Sequence, residues 1–238
     1  MTKTILLTND DGFLSPGLRH LRDMLSNSYD VYIVAPDGER SAVSMSLTLN
    51  RPLRIHQISD NEYEINGTPV DCVNIALDKI LPKRPDFVIS GMNMGENLSE
   101  DVFFSGTVGG AFAANLYGIP ALAVSLIPGQ IEDTDDKPSG YNYSSGTVYD
   151  FEGGAKITAD ILERLLDNPH LLQMEVVFNV NIPYRNSGQI IISSQGIKRY
   201  KPDVIENTDP RGRKYFWFGT GDPLTKGDDD SDIETVKK

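Results

Sequence analysis

The chain has 238 residues, 39% of them hydrophobic, a length and composition suited to one large α/β domain or to a domain with an appendage. Its formal net charge of −12 argues against binding to nucleic-acid duplexes, because an acidic surface repels phosphates. The single cysteine excludes an intrachain disulfide, and no Cys/His cluster suggests a structural zinc site. No signal-peptide pattern precedes the first apolar run, and no run is long enough to cross a membrane, so we expect a cytoplasmic protein without a membrane partner.

The N-terminal part of the chain predicts a strand–helix–strand unit. Thr4–Leu7 is an apolar run typical of a buried strand, and the turn Asn9–Gly12 follows it. Ser15 and Pro16 predict the start of a helix, which continues with leucines at helical spacing. Asp30–Ala35 then predicts a second strand. Units of this kind build parallel sheets.

Strands and helices continue to alternate after this unit. The predicted strands are two alternating segments within 41–66, then Asp86–Ser90, Pro120–Leu126, Val176–Val180 and Gln189–Ser193, and the predicted helices are Val70–Leu81, Thr107–Tyr117 and Gly154–Leu166. This order predicts that residues 1–195 form a doubly wound, mostly parallel, Rossmann-like α/β sheet. A polar excursion is expected at about 128–149.

Residues 196–238 differ in character and are predicted to form a C-terminal extension. They contain the turn sequence Asp209–Gly212, the aromatic cluster Tyr215–Phe218 and an acidic stretch, Asp228–Asp232, that we expect to be a solvated loop.

Oxygen-bearing side chains follow three of the predicted strands, at the point where each strand ends. Asp10 and Asp11 follow the first strand, Ser41 comes soon after the second, and Asn93 follows the third core strand. In a parallel sheet such loops emerge at one edge, where ligands bind. Hard oxygen donors without thiol or imidazole groups favour Mg²⁺, Mn²⁺ or Ca²⁺ over zinc or copper.

Each of these residues also has an ordinary structural explanation. Asp10–Gly12 is a common solvated turn, Ser41 is a typical cap, and Asn93 is a turn residue that tolerates a left-handed backbone. The position of the aspartate pair, after the first strand and before a capped helix, favours the functional interpretation.

A second candidate site lies at the start of a predicted helix, at Ser105, Gly106 and Thr107. Helix N-termini present backbone N–H groups and a positive dipole end to phosphate, and Gly106 would allow a close approach. The alternative is a simple Ser or Thr cap, with glycines that serve helix packing. None of the three histidines lies in the candidate loops, which disfavours a phosphohistidine or Ser-His-Asp mechanism.

The chain resembles the SurE family through a collinear series of motifs. They are Thr8-Asn9-Asp10-Asp11-Gly12, Val34-Ala35-Pro36-Asp37 with Arg40-Ser41, Ser46-Leu47-Thr48, Gly67-Thr68-Pro69 with Asp71-Cys72-Val73, the run from Ser90 to Asn97, Ser105-Gly106-Thr107-Val108 and Asp209-Pro210-Arg211-Gly212. The motifs extend across most of the chain and are together highly specific. Ala42-Val43 stands where the family commonly has Gly-Ala, and Phe104 where it often has Tyr.

The resemblance implies a divalent-metal-dependent phosphomonoesterase, a 5′-nucleotidase that hydrolyses nucleoside 5′- and 3′-monophosphates to nucleoside and phosphate. It implies one divalent ion, Mg²⁺ or Mn²⁺ with Ca²⁺ also able to occupy the site, bound by Asp10, Asp11, Ser41 and Asn93, the two aspartates being catalytic. The residues predicted to bind the substrate phosphate are Asn9, Asn97, Ser105, Gly106 and Thr107.

The resemblance also bears on assembly. Family members form dimers or tetramers partly through C-terminal exchange, so we expect a homodimer or homotetramer. The family usually continues beyond the position of Lys238 into another strand and a helix, and we therefore expect this chain to be cut short. Two other functions stay open at this point, namely exopolyphosphatase activity at the same site and a non-catalytic module that binds a nucleotide or a metal.

Overall fold

The computed structural model describes residues 2–130, 146–219 and 223–238. The chain divides into two compact units, Met1–Asn97 with Val102–Ile190 and Leu98–Asp101 with Ile191–Lys238. Most of the predicted polar excursion, residues 131–145, lies outside the described residues. In the described ranges, every helix is too short or too polar to span a lipid bilayer.

The larger unit is built on a seven-stranded sheet. The seven strands are β1 (Thr4–Thr8), β2 (Asp30–Pro36), β3 (Ile55–Ser59), β4 (Glu62–Ile65), β5 (Phe87–Met94), β6 (Ala121–Ile127) and β9 (Val177–Pro183). Two further short strands, β7 (Gly129–Gln130) and β8 (Thr147–Val148), pair with each other. The order across the sheet is β3-β4-β2-β1-β5-β6-β9, and all neighbours are parallel except β3 and β4. The predicted doubly wound, mostly parallel sheet is confirmed.

Helices cover both faces of this sheet. They are α1 (Pro16–Leu25), α2 (Pro69–Ile75), α3 (Gly106–Leu116), α4 (Phe151–Leu166) and the short α5 (Pro169–Leu172). One face packs against α1 and α4 in a core that includes Leu18, Leu21 and Phe151. The other face packs against α2 and α3, where small side chains such as Ala111 and Ala114 allow close contact. Because both faces are buried, β1 is a continuous apolar run rather than an alternating one.

Local sequence signals explain where the helices begin. The Ser15 side chain accepts a hydrogen bond from the backbone N–H of Leu18 and is followed by a proline, as the sequence predicted. A reciprocal pair of hydrogen bonds between Thr68 and Asp71 caps α2. Ser105 caps α3 by accepting from Val108. These caps fix the helices that flank the carboxyl ends of β1, β4 and β5.

Three predicted elements differ from the structure. The helix predicted over Val70–Leu81 ends at Ile75, and a wider π-helical turn, Ala76–Ile80, follows it. This turn ends before Leu81 because the proline after Leu81 favours an extended backbone at that residue. The third core strand extends from the predicted Ser90 to Met94, through a register shift against β6 between Ser90 and Asn93. The strand predicted at Gln189–Ser193 is wrong, because no strand in the described part of the chain pairs with it.

The smaller unit contains two antiparallel pairs. Its strands are β10 (Ile197–Arg199), β11 (Val204–Thr208), β12 (Lys214–Phe218) and β13 (Leu224–Lys226), followed by α6 (Asp232–Thr235). β10 pairs with β13, and β11 pairs with β12 in a hairpin. A 3₁₀ helix, Ser99–Phe103, begins in this unit.

The predicted acidic loop is solvated only in part. Asp228, Asp229 and Asp230 are exposed, but Ser231 is buried. Asp232 accepts hydrogen bonds from the backbone N–H groups of Ser99 at 2.6 Å and Gly196 at 2.8 Å. The expectation of a solvated loop is therefore wrong for Ser231 and Asp232, because they begin α6 and pack within the unit.

Candidate metal centre

The aspartate pair lies at the topological switch point of the sheet. Asp10 and Asp11 directly follow β1, from which the chain builds outwards through β2 on one side and β5 on the other. The backbone N–H of Arg40, after β2, donates to the Asp10 carbonyl oxygen at 2.7 Å. The backbone N–H of Met94, at the end of β5, lies 3.3 Å from Asp11 Oδ2. The structure thus brings together the segments that carry the predicted metal ligands.

Asp10 is buried against the N-terminus of α3. Its side chain accepts a hydrogen bond from the hydroxyl of Thr107, and it is only 5% exposed. A Cβ atom placed on Gly106 would lie 2.8 Å from Asp10 Oδ2, so a larger residue at position 106 would displace the carboxylate. Burial raises the pKa of Asp10, while hydrogen bonds from Thr107 and from the backbone at Gly106 lower it.

The pKa of Asp11 is also raised by its surroundings. Burial, followed by repulsion from Asp10, raises the pKa of Asp11 from 3.8 to about 7. The Met94 backbone N–H acts in the opposite direction, and Glu39 adds a smaller repulsive contribution. Two neighbouring carboxylates in these surroundings are difficult to ionise without a compensating cation.

In the part of the chain that the structure describes, no protein cation provides that compensation. Among the described residues, no Lys, Arg or His forms an ion pair with Asp10 or Asp11; Arg40 instead pairs with Asp37 at 2.6 Å. The described residues also contain no cluster of three or more His, Cys, Asp or Glu side chains that could hold a metal. A site here would need neutral oxygen donors besides the aspartates, and an oxygen-only set fits Mg²⁺ or Mn²⁺.

The two neutral candidates, Ser41 and Asn93, make hydrogen bonds within their own loops. The Ser41 side chain is exposed, and its hydroxyl donates to Glu39 Oε1 at 2.8 Å. The Asn93 amide nitrogen donates to the Gly95 carbonyl at 2.8 Å, so the oxygen of the Asn93 amide is the atom that would bind a cation. Their role as ligands stays a prediction.

The loop that carries Ser41 is fastened at several points. The backbone N–H of Thr48 donates to Asp71 Oδ1 at 3.0 Å, and the hydroxyl of Ser44 donates to the Phe103 carbonyl at 2.8 Å. Ala42 and Ser44 have left-handed backbone conformations, with φ of 55° and 52°. Such conformations are costly for residues with a Cβ and persist only where their surroundings impose them.

The predicted phosphate-binding residues fall into two groups. Ser105, Gly106 and Thr107 lie at the N-terminus of α3, beside Asp10. Asn9 is buried instead in the turn before α1, where its amide nitrogen donates to Ser15 Oγ at 2.6 Å. Contact between Asn9 and a phosphate stays a prediction, and the hydrogen bond to Ser15 argues against it.

Asn97 lies in a polar network that the sequence predictions did not include. Its amide nitrogen donates to Ser125 Oγ at 2.7 Å, and its backbone is bonded by the side chains of Asn179 and Asn181. The signal in the sequence was the pair of asparagines in a strand that otherwise consists of apolar residues, Val177–Pro183. Polar residues that alternate near the carboxyl end of a core strand indicate a network of this kind.

Comparison with known proteins identifies the family of this chain. The family model described as survival protein SurE matches residues 5–202. The chain belongs to the SurE family. A protein named 5′-nucleotidase SurE from Pelobacter propionicus is 39% identical over 98% of this chain and 89% of its own length, and one of the same name from Geobacter metallireducens is 40% identical over 98% and 87%.

Solved structures of the SurE family share the fold. The crystal structure of the SurE protein from Aquifex aeolicus superposes with a TM-score of 0.72 and 35% sequence identity. The alignment covers 98% of this chain and 89% of that one. The family resemblance found in the sequence motifs is therefore confirmed.

Proposed function

We propose that this SurE-family chain is a divalent-metal-dependent 5′-nucleotidase that hydrolyses nucleoside 5′- and 3′-monophosphates. Relatives that align with nearly the whole chain carry the name 5′-nucleotidase SurE. The observation that carries the proposal is the adjacent pair Asp10 and Asp11, of which Asp10 is buried and neither forms an ion pair with a protein cation among the described residues. Burial and repulsion from Asp10 raise the pKa of Asp11 to about 7. A site of this kind is suited to a cation and a phosphate together.

The proposed ligands of the ion are Asp10, Asp11, Ser41 and Asn93, with Mg²⁺ or Mn²⁺ as the physiological metal. When bound, such a cation would neutralise the carboxylates and stabilise the charge that develops on the phosphoryl group. Thr107 donates to Asp10 Oδ1 and so fixes the orientation of this carboxylate. We assign to one of the two aspartates, Asp10 or Asp11, the further role of orienting the attacking water.

The N-terminus of α3 provides the proposed phosphate cradle. The Ser105 hydroxyl accepts a hydrogen bond from the backbone N–H of Val108 at 3.0 Å, and the backbone N–H groups of Gly106 and Thr107 face the Asp10 carboxylate. The positive end of the helix dipole would therefore lie next to the metal ligands, where it would attract the phosphate oxygens that the carboxylates would otherwise repel. Asn97 donates one of its two amide hydrogens to Ser125, and the second would be available to a phosphate oxygen.

The test is phosphate release from AMP by protein stripped of metal, with Mg²⁺, Mn²⁺ or Ca²⁺ added back. Release that depends on Mg²⁺ or Mn²⁺ supports the proposal, and a series of 5′- and 3′-monophosphates then defines the substrate range. Preference for chain polyphosphate over AMP would indicate an exopolyphosphatase. Binding of Mn²⁺ and AMP without release would indicate a non-catalytic module and contradict the proposal.

The proposal extends to a homodimer or homotetramer in the cytoplasm. The β11–β12 hairpin exposes large apolar side chains, with Phe218 90% and Trp217 66% exposed. An isolated two-stranded hairpin is marginally stable in water, so these side chains favour cover by a second copy of the chain. Cys72 is a free, buried thiol, which is compatible with a reducing compartment.

A further inference from the structure

An asparagine of β9 holds the backbone of Asn97 at both of its polar groups. The backbone N–H of Asn97 donates to Asn181 Oδ1 at 2.8 Å, and Asn181 Nδ2 donates to the Asn97 carbonyl oxygen at 3.2 Å. The amide of Asn179 donates to the same carbonyl at 2.8 Å. The side chain of Asn181 thus binds the peptide groups of Asn97 in the way that a neighbouring strand would.

Strand pairing connects this network with the candidate metal ligand. Asn93 is in register with Ser125 of β6, and Ser125 is in register with Asn181 of β9. Ser125 also accepts from the side chain of Asn97. These residues link the start of the segment from Asn93 to Asn97 with its end.

Between these two points the backbone is held at Met94, whose N–H lies 3.3 Å from Asp11 Oδ2, and at Gly95. Gly95 has a φ of 129°, which favours glycine, and its backbone N–H donates to the Leu126 carbonyl at 3.0 Å. Met94 and Glu96 are exposed. Without Asn181, the buried N–H of Asn97 would lose its partner, and the hydrogen bond from Asn179 to the Asn97 carbonyl would be left to hold the segment against β9.

We propose that Asn181 is a positioning residue, which fixes the segment from Asn93 to Asn97 so that Asn93 can bind the divalent ion. Asn179 has a lesser part, because it holds only the carbonyl of Asn97. This inference rests on the proposed function, since it assigns Asn93 to the metal. Neither Asn179 nor Asn181 needs to contact the ion or the substrate; both act through the backbone of Asn97.

The test is direct binding of Mn²⁺, measured from the electron paramagnetic resonance signal of the free ion, in the unaltered full chain, two test variants and a control variant. Removal of residues that orient metal ligands typically weakens metal binding about 10- to 100-fold, and we expect a loss of about tenfold or more in Asn181→Ala. Asn179→Ala, at an exposed position on the sheet edge, is expected to weaken binding only about threefold, as for the loss of one hydrogen bond.

Val180→Ala is the matched control. Val180 lies between the two asparagines, but its side chain packs against the core on the opposite face of β9. This variant removes apolar packing from the same strand and should bind Mn²⁺ as the unaltered chain does. A general loosening of β9 would instead weaken binding in Val180→Ala as much as in Asn181→Ala, and that result would overturn the proposal.

The outcomes separate this inference from the proposed function. If the unaltered chain binds no Mn²⁺ and releases no phosphate, the proposed function fails. If it does both and Asn181→Ala binds Mn²⁺ with unchanged affinity, only the positioning role fails. Should Asn181→Ala not fold, Asn179→Ala decides the question, since unchanged Mn²⁺ affinity in that variant contradicts the network's role.

Discussion

The backbone N–H of Met94 lies 3.3 Å from the carboxylate of Asp11, so the end of β5 is linked to the turn after β1. The contact joins residues 83 positions apart in the chain, at the centre of the sheet. It places the second aspartate of the pair next to the strand that carries Asn93. Replacement of Asp11 is therefore the most direct test of the candidate site.

We expect Asp11→Asn to lose metal-dependent phosphate release by on the order of 10³-fold, because a ligand that binds and orients contributes several kcal/mol to the barrier. The measurement is kcat/KM for AMP at saturating Mn²⁺. Asp23→Asn is the matched control, since Asp23 is exposed on α1 and forms an ion pair with its neighbour Arg22. Retention of full turnover in Asp11→Asn would contradict the assignment of the site.

The same substitution should stabilise the protein when no metal is present. The pKa of Asp11 is about 7 in the folded chain, against 3.8 as its ordinary value, so folding favours the protonated form. The stability that this proton provides is fully present below about pH 3.8 and is lost as the pH rises through 7. Asn is neutral throughout and avoids that loss.

In the presence of a chelator at pH 8, the free energy of unfolding of Asp11→Asn should therefore exceed that of the unaltered chain by about 2 kcal/mol, after allowance for solvent screening. The difference should shrink steadily towards pH 4. Urea titrations at three pH values measure it. A difference that stays constant with pH would indicate that Asp11 is not destabilised by burial.

We expect Gly106→Ala to impair the site while the fold is retained. The added Cβ would lie 2.8 Å from Asp10 Oδ2 and 2.9 Å from Val43 Cγ2, so it would displace the carboxylate from the end of α3. A displacement near 1 Å costs catalysis about 100-fold. The measurement is kcat for AMP at saturating metal. Gly38→Ala is the control, because its Cβ would approach only the end of the Arg40 side chain, at 3.9 Å.

Ala42→Gly should stabilise the protein. Ala42 has a φ of 55°, a left-handed conformation that costs roughly 1–2 kcal/mol for a residue with a Cβ. Part of this gain is offset by the greater freedom of glycine in the unfolded chain, so we expect a net increase of about 0.5–1 kcal/mol in the free energy of unfolding. Ala159→Gly, within α4, should have the opposite effect, with a loss of about 1 kcal/mol.

Replacement of Trp217 and Phe218 by serine should weaken self-association. Both side chains lie exposed on β12, and the hairpin gains little stability from its own two strands. The measurement is the molar mass from light scattering across a dilution series. Lys214→Ala, on the same strand, is the control. An unchanged mass would indicate that the hairpin is not the contact between copies.

The predictions from sequence were most accurate for buried strands and helix caps, whose signals lie in a few consecutive residues. The apolar run before Asn9, the Ser15-Pro16 start of α1 and the Ser105 cap of α3 all lie as predicted. Helix capping depends on neighbours in the chain, and a run that is apolar at every position is typical of a strand buried on both faces. The apolar run Gln189–Ser193 was misinterpreted for the complementary reason. A strand requires a partner, and composition alone does not provide one.

The metal ligands illustrate the same limit. The sequence indicated that Asp10, Asp11 and Asn93 follow strands, but not that β1 and β5 are neighbours. Hydrogen bonds between distant parts of the chain could not be predicted from the sequence. The bonds of Thr107 with Asp10 and of Asn181 with Asn97 join residues about 80 to 100 positions apart. Such pairs depend on strand order, which local patterns do not specify.

The two central strands, β1 and β5, carry most of the candidate ligands directly at their ends. Backbone amides in the middle of a buried parallel sheet exchange hydrogen with solvent mainly through global unfolding, not through local opening. Because only the folded sheet brings these ligands together, the binding free energy of a metal held there is added to the stability of the entire larger unit. Saturation with Mn²⁺ should then slow amide exchange along β1, β5 and β6 to the same extent, far beyond the residues that touch the ion.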